Sequence, residues 1–178
     1  YGTADKDVCR IFRMMTDNIY VCVNVEKRHF YRFRNSSPDC PDRYWKDDPH
    51  GVMLLNDLEE IISPVFEQVL VSLKTEMSHI TLPKAREVYE EKIGKLQMYI
   101  EGKLRHLTYT ELLRRRLAET FYDGQFMQKL DSVTGVINTP NGVYDVRSRD
   151  PMEHVFRPGQ PEDYCSYVTN AEYREFLP

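Results

Sequence analysis

Between Leu54 and Leu73 the apolar residues recur at a spacing that only a helix can use. Leu54, Leu58, Ile61, Ile62, Val65, Phe66, Val69 and Leu73 fall three or four positions apart, so they share one side of an α-helix. A stripe of this length has to be covered by other elements. The sequence supplies two further helical patterns. One starts at Pro83, a favourable first-turn residue, and runs through Val88, Tyr89, Ile93, Leu96, Ile100 and Leu104. The other lies in "HLTYTELLRRRLAETFYDG", with Leu113, Leu117 and Phe121 on the buried side. In that segment Thr108 and Glu111 are spaced for a capping box, and Gly124 is a natural stop. Pro64 is expected to kink the first of these helices or to split it after Ile62. A short amphipathic helix opens the chain, carried by Val8, Ile11, Phe12 and Met15.

The flanks of this helical block read as β-structure. "NIYVCVNVEKRHFYRFRN" has two halves rich in Val, Tyr and Phe around "EKR", the pattern of a hairpin. "NSSPDCPDRYWKDDPHG" reads as a loop, which Trp45 is expected to pin onto the core. Near the C-terminal end, "GVINT" and "GVYDV" flank Asn141-Gly142. The dipeptide predicts a tight turn with both residues at positive φ, pairing Val136 and Ile137 with Val143 and Tyr144. The predicted fold is α+β and helix-rich, with an N-terminal helix and β-hairpin, three longer core helices, and a C-terminal β-rich segment with an Asn-Gly hairpin. We read residues 1–178 as one domain, with sub-parts 1–50, 51–124 and 125–178.

Charge and chemistry narrow the function. The net charge is −4, unlike a protein coated for duplex DNA, but it is unevenly spread. Lys84 to Arg116 holds nine Lys/Arg against five Asp/Glu, whereas Asp47 to Glu67 holds six acids and no Lys/Arg. Cys9, Cys22, Cys40 and Cys165 are scattered, which predicts reduced, packed thiols, and the five histidines never take a metal-ligand spacing. There is no phosphate-cradling Gly-Lys-Ser/Thr, no dinucleotide fingerprint and no nucleophile elbow. Asp47 and Asp48 in "KDDPHG" read as a cap or a solvated turn. No apolar run approaches the ~20 residues that span a bilayer. Beginning on Tyr1, the chain reads as an excised piece of something longer.

Two basic clusters are candidate binding residues. Arg114, Arg115 and Arg116 follow Lys103 and Arg105 on the helical block. At about 100° per residue, Arg114 and Arg115 are expected to face solvent and Arg116 to lie nearer the apolar border. Such a cluster can hold phosphates or pair with acids of another subunit, or it can be a solvated helix face. In "RHFYRFR" the aromatics interleave with Arg28, Arg32 and Arg34, a pattern of single-strand binders that stack bases. Ordinary strand alternation is the favoured account of it, with Tyr31 and Phe33 facing the core and Arg32 and Arg34 facing water.

"FYDGQFMQKLDSVTGVINTPNGVYDV" followed by "FRPGQPEDYCSYVT" resembles a block in the primase-helicases of nucleocytoplasmic large DNA viruses of poxvirus, African swine fever virus and giant-virus type. The matching residues are Phe126, Leu130, Asp131, Asn141, Gly142, Val143, Tyr144, Asp145, Phe156, Arg157, Gly159, Pro161, Glu162, Asp163 and Tyr164, with Trp45 upstream. The segment "RSRDPMEHV" is longer than the turn usual there. The resemblance implies a non-catalytic linker or collar domain between an N-terminal primase and a superfamily 3 helicase. It implies no cofactor in this fragment, with ATP and Mg bound by the longer protein's helicase domain. The implied partners are single-stranded or forked DNA, the adjacent primase and helicase domains, and further copies in a hexamer, with no membrane. The implied location is the host cytoplasm at viral replication factories. An autonomous single-stranded or forked DNA-binding module, and a purely ring-forming self-association module, are the alternative readings.

Overall fold

The computed structural model describes residues 5–34, 43–104 and 106–174. The chain forms two compact units, residues 1–17 with 51–121 and residues 18–50 with 122–178. The fold class is the predicted one, helix-rich α+β, with two three-stranded antiparallel sheets.

The first unit is helical. It comprises α1 (Asp5–Met15), α2 (Val52–Ser78), α3 (Pro83–Met98) and α4 (Leu107–Thr120). Leu54, Leu58, Ile62, Phe66 and Leu73 of the predicted stripe are buried, and the intervening Ile61, Val65 and Val69 are half-buried. Helix α2 passes through Pro64 without a break. The proline ring is exposed, and the stripe on the opposite side packs both halves of the helix into one core, so tertiary burial outweighs the lost backbone hydrogen bond. Pro83 does open α3. Glu76 accepts a hydrogen bond from the Tyr89 hydroxyl at 3.0 Å near the connection, and Phe66 meets the Tyr99 ring edge-on at 5.5 Å further along, the register of an antiparallel helical hairpin. Val88, expected on the buried side, is 49% exposed.

Helix α3 runs into one wide turn, Tyr99–Lys103, in which the Leu104 amide donates to the Tyr99 carbonyl across five residues at 3.1 Å. The turn carries Tyr99 inward, to 2% exposure. The expected capping box does not form. Helix α4 starts after His106, so Thr108 lies inside the first turn and not at the cap position from which a side chain accepts the free amides. The helix also ends at Thr120, before Gly124. Helices α1 and α4 lie side by side, with Asp5 against Tyr109 and Phe12 against Phe121, whose rings meet edge-on at 6.2 Å.

The second unit holds both sheets. In the first, β1 (Tyr20–Asn24) pairs with β2 (His29–Phe33), and β2 with β3 (Trp45–Asp48). Trp45 is buried as expected, but it sits on a strand, not in a loop. Asp47 and Asp48 follow it on that strand, with Asp48 buried and Asp47 bound to His29. The second sheet is a meander of β4 (Val136–Thr139), β5 (Gly142–Asp145) and β6 (Val155–Arg157). The short helix α5 (Phe126–Lys129) supplies Phe126, whose ring lies 4.9 Å from Trp45 and 5.3 Å from Tyr31.

The hairpin turn falls one residue earlier than predicted. Thr139 pairs with Gly142, so Pro140 and Asn141 make the turn and Gly142 opens β5. Ile137 pairs with Tyr144 as expected, but Val143 faces Asn138 and Val136 faces Asp145. Asn141 is not at positive φ, while Gly142 has φ of 153°. Gly142 is needed mainly for space: an added Cβ would lie 2.6 Å from Phe156 Cζ and 2.9 Å from the Arg157 carbonyl oxygen. Gly142→Val is therefore expected to destabilise the unit by about 2–3 kcal/mol through overpacking. A lowered thermal midpoint by circular dichroism is the check, and an unchanged midpoint would contradict the reading.

Candidate nucleic-acid interface

The residues that carry the family resemblance converge within the second unit and are engaged with one another. Arg157 stands two residues beyond Val155, the partner of Asp145 on β5, so the two side chains share a face of the sheet. Its guanidinium donates to both carboxylate oxygens of Asp163, at 2.6 and 2.7 Å, and to Asp145 Oδ2 at 2.9 Å. Asp163 is buried and also accepts the Gln160 amide at 2.8 Å, closing the turn that Pro161 opens. Arg147 donates to Asp145 from the other side. Hydrogen bonding from Arg147 above all, and from Arg157, holds the Asp145 carboxyl well below the usual carboxylate range, against an opposing effect of burial. The long "RSRDPMEHV" segment is ordered by Asp150, which accepts the Met152 amide at 2.9 Å and starts a single helical turn, Pro151–Glu153, before β6.

Asn141 and Tyr144 act together on the C-terminal segment. Asn141 Nδ2 donates to the Tyr173 carbonyl at 2.8 Å, and Asn141 Oδ1 accepts the Tyr173 amide at 2.9 Å. The Tyr173 ring stacks on Tyr144 at 4.9 Å and on Phe156 at 4.5 Å. Asp131 is at positive φ, accepts the Ser166 amide at 2.7 Å and donates its own amide to the Tyr164 carbonyl. Tyr164 takes the left-handed conformation and leans on Phe126, with ring centroids 6.0 Å apart. Trp45 Nε1 donates to the Pro161 carbonyl at 2.9 Å. Asn141 and Asp145 make the local bonds expected of a turn, Asn141 with Thr139 and Asp145 with Arg147, and both also reach across the fold. Spacing could not have shown this, because the partners lie 32 residues away for Asn141 and 12 for Asp145.

The basic residues separate by environment. Arg114 is not the solvent-facing residue expected: its side chain is 13% exposed and bound to Glu111, one turn back on α4. The helix turns it toward its neighbours, and Arg115 is the exposed member of the triplet. Arg116 is 39% exposed and lies 3.9 Å from Asp5. Lys103 Nζ sits over the Tyr99 and Tyr109 rings, 5.7 and 5.6 Å from their centroids. Arg105 lies outside the described residues.

Arg32 and Arg34 do not face open water as alternation suggested. Phe30 on their side of the hairpin is fully buried, Phe33 on the other side is buried too, and Arg34 reaches the Tyr44 hydroxyl at 3.5 Å. Both faces of that strand are packed, so the simple in-out alternation fails.

One basic feature was missed by the sequence reading. Lys6, Arg10 and Arg13 repeat at helical spacing on the outer side of α1, opposite Val8 and Phe12. With Arg116 and Glu119 of α4 they line an open groove of about 380 Å³, floored by Cys9. Lys6, Arg10 and Arg13 are exposed. Arg13 donates to the Thr120 carbonyl and lies over the Phe121 ring, at 5.9 Å, so it is held against α4. The spacing of Lys6, Arg10 and Arg13 was visible in the sequence; their meeting with Arg116 was not.

Other chemistry is limited among the described residues. No group of three or more His, Cys, Asp or Glu is arranged to hold a metal ion, and no helix is long and apolar enough to cross a membrane. Cys9, Cys22 and Cys165 are buried free thiols, each pushed up to about 11, chiefly by burial, so at neutral pH they are poor nucleophiles. Tyr109 donates to Asp5 at 2.8 Å and is hydrogen-bonded to Tyr99. Burial first, and these bonds second, raise the Tyr109 hydroxyl, while burial pushes Tyr99 up to about 12.

Together these observations define a helix-rich α+β domain whose motif residues hold its own β-structure and which carries a row of exposed cations along α1. The chain belongs to the D5 N terminal like family, whose model matches residues 10–177 and which is found in viral D5-type primase-helicases. It is also similar to a helicase-named protein of Acanthamoeba polyphaga mimivirus, at 24% identity over 157 residues. That match covers 88% of this chain and 15% of the mimivirus protein, so the chain spans a small part of its relative's length.

Arg157→Ala is expected to lower stability by about 3–5 kcal/mol, because it leaves Asp163 buried without its cation. The depressed Asp145 carboxyl sets the pH dependence. Its contribution is fully present above the ordinary carboxylate range and is lost as pH falls below about 4. Chemical denaturation between pH 7 and pH 3 should therefore show a steeper acid loss for the native chain than for Asp145→Asn. Equal slopes would contradict this assignment.

Proposed function

We propose that this chain is a non-catalytic connecting domain of a viral replicative DNA primase-helicase. It joins primase to the hexameric helicase, assists assembly of the ring and guides DNA toward it. The observation that carries this reading is the family match over residues 10–177, in a chain whose motif residues are spent on packing and mutual hydrogen bonds. On this reading ATP and Mg are bound by the helicase domain of the longer protein, and this chain needs no cofactor. Its partners are the flanking primase and helicase domains, further copies of itself in the hexamer, and single-stranded or forked DNA, with no membrane. The work is done at viral replication factories in the host cytoplasm.

The segregation of charge supports the assembly part. An acid-rich stretch and an Arg-bearing stretch on one chain suit head-to-tail contacts, which close into rings.

The test compares the primase-helicase with its flanking domains joined through this chain and the same domains supplied as separate pieces. Joined, the protein should couple primer synthesis to unwinding; separated, ATP turnover and primer synthesis should persist while the coupling is lost. The chain alone should show no ATP turnover. Turnover that survives control substitutions, or full coupling by the separate pieces, would overturn the proposal.

A further inference from the structure

We propose that the groove between α1 and α4 binds the phosphodiester backbone of a single nucleic-acid strand, with Lys6, Arg10, Arg13 and Arg116 as the phosphate-contacting cations. The inference rests on the reading above that this domain meets DNA, and it names the surface that does so.

Geometry comes first. Lys6, Arg10 and Arg13 lie along one side of α1, and Arg116 faces them from α4 across the same groove of about 380 Å³. Lys6 to Arg13 spans about 10 Å at about 1.5 Å per helical residue, long enough to meet more than one phosphate of a strand. Arg13 is already oriented by its bond to the Thr120 carbonyl and its position over Phe121, so part of its ordering cost is met before a ligand arrives.

The charge is also available. Among the described residues Lys6 and Arg10 have no ion-pair partner, and Glu119 is the one carboxylate lining the groove. The acids of the first turn of α1 leave Lys6 and Arg10 free. Asp5 accepts the Tyr109 hydroxyl and lies 3.9 Å from Arg116, the one groove cation with a carboxylate partner, and Asp7 lines a separate apolar groove with Val8, Ile11 and residues of α2 and α3. A solvated helix face normally mixes both signs along its length. Here they are sorted, with cations on the α4 side and Asp7 on the other. Cations without partners gain most from phosphate, because binding releases condensed counterions without breaking an existing ion pair.

The test is fluorescence anisotropy of a labelled oligothymidylate with the intact chain over a salt series. The native chain should bind at low salt. The double variant Lys6→Gln/Arg10→Gln should bind roughly tenfold more weakly, with a salt slope smaller by about 1.4, given about 0.7 per phosphate contact on single strands. Both side chains are exposed, so the melting midpoint should stay within a degree or two of the native value. Lys74→Gln/Lys84→Gln removes the same charge from exposed positions outside the groove and should leave affinity nearly unchanged.

Equal loss in the two double variants, no loss in the groove variant, or no binding by the native chain at low salt would each overturn the proposal. So would displacement of the oligonucleotide by polyglutamate at equal charge concentration, which would mark the groove as a dock for acidic peptide. These outcomes are separate from the coupling experiment: a domain that fails to couple primase to helicase can still bind through this groove, and the reverse also holds.

Discussion

The second unit depends on one buried side chain, Trp45. Its indole packs on Phe33 at 5.4 Å and Phe126 at 4.9 Å, its ring nitrogen donates to Pro161, and its amide donates to the Cys165 carbonyl at 2.7 Å. One residue thus joins the first sheet, helix α5 and the segment that follows the second sheet. Two sheets of three short strands are marginal by themselves, and a large aromatic with a satisfied N–H is an efficient way to tie them. Much of the motif framework is arranged around it. Tyr164 leans on Phe126, Asp131 fixes the backbone near Tyr164, and the Arg157 pair with Asp163 closes the turn whose carbonyl Trp45 uses.

The helices were legible in the sequence because their signal is repeated many times. Eight apolar positions at helical spacing outvote one proline, and α2 runs through Pro64. Features that depend on a single residue fared worse. The Thr108 cap needed the helix to begin two residues later than it does, and the hairpin needed Asn-Gly at its centre, whereas Thr139 pairing with Gly142 moves the turn to Pro140-Asn141. Local preference for the dipeptide gave way to the packing of Phe156 and β6 over Gly142. The strand at Trp45 was hidden because "WKDD" carries only one apolar residue and is stabilised by pairing with β2.

The site was less legible than the fold, for a physical reason: a sequence counts charges but does not say what each one faces. Arg157, Arg114 and Arg34 are committed to partners inside the protein. Arg115, Lys6 and Arg10 look outward. All six are ordinary basic residues in the sequence. The run of three arginines drew the eye, yet Arg114 is turned inward onto Glu111, while the more widely spaced cations of α1 line a groove with Arg116. Helical periodicity, applied to charges as carefully as to apolar residues, would have found the α1 row.

Asn141 has a mechanical consequence. Its amide group grips both the carbonyl and the amide of Tyr173 while two rings clasp the Tyr173 side chain. A tug on the backbone at Tyr173 would therefore not peel bonds away one at a time. It would load both hydrogen bonds and the ring stack together, and pass the force into the middle of the β4–β5–β6 sheet. A turn read as a simple reversal of the chain is thus also an anchor point, and it makes this stretch of backbone behave as a strut where its lack of regular structure would suggest a tether.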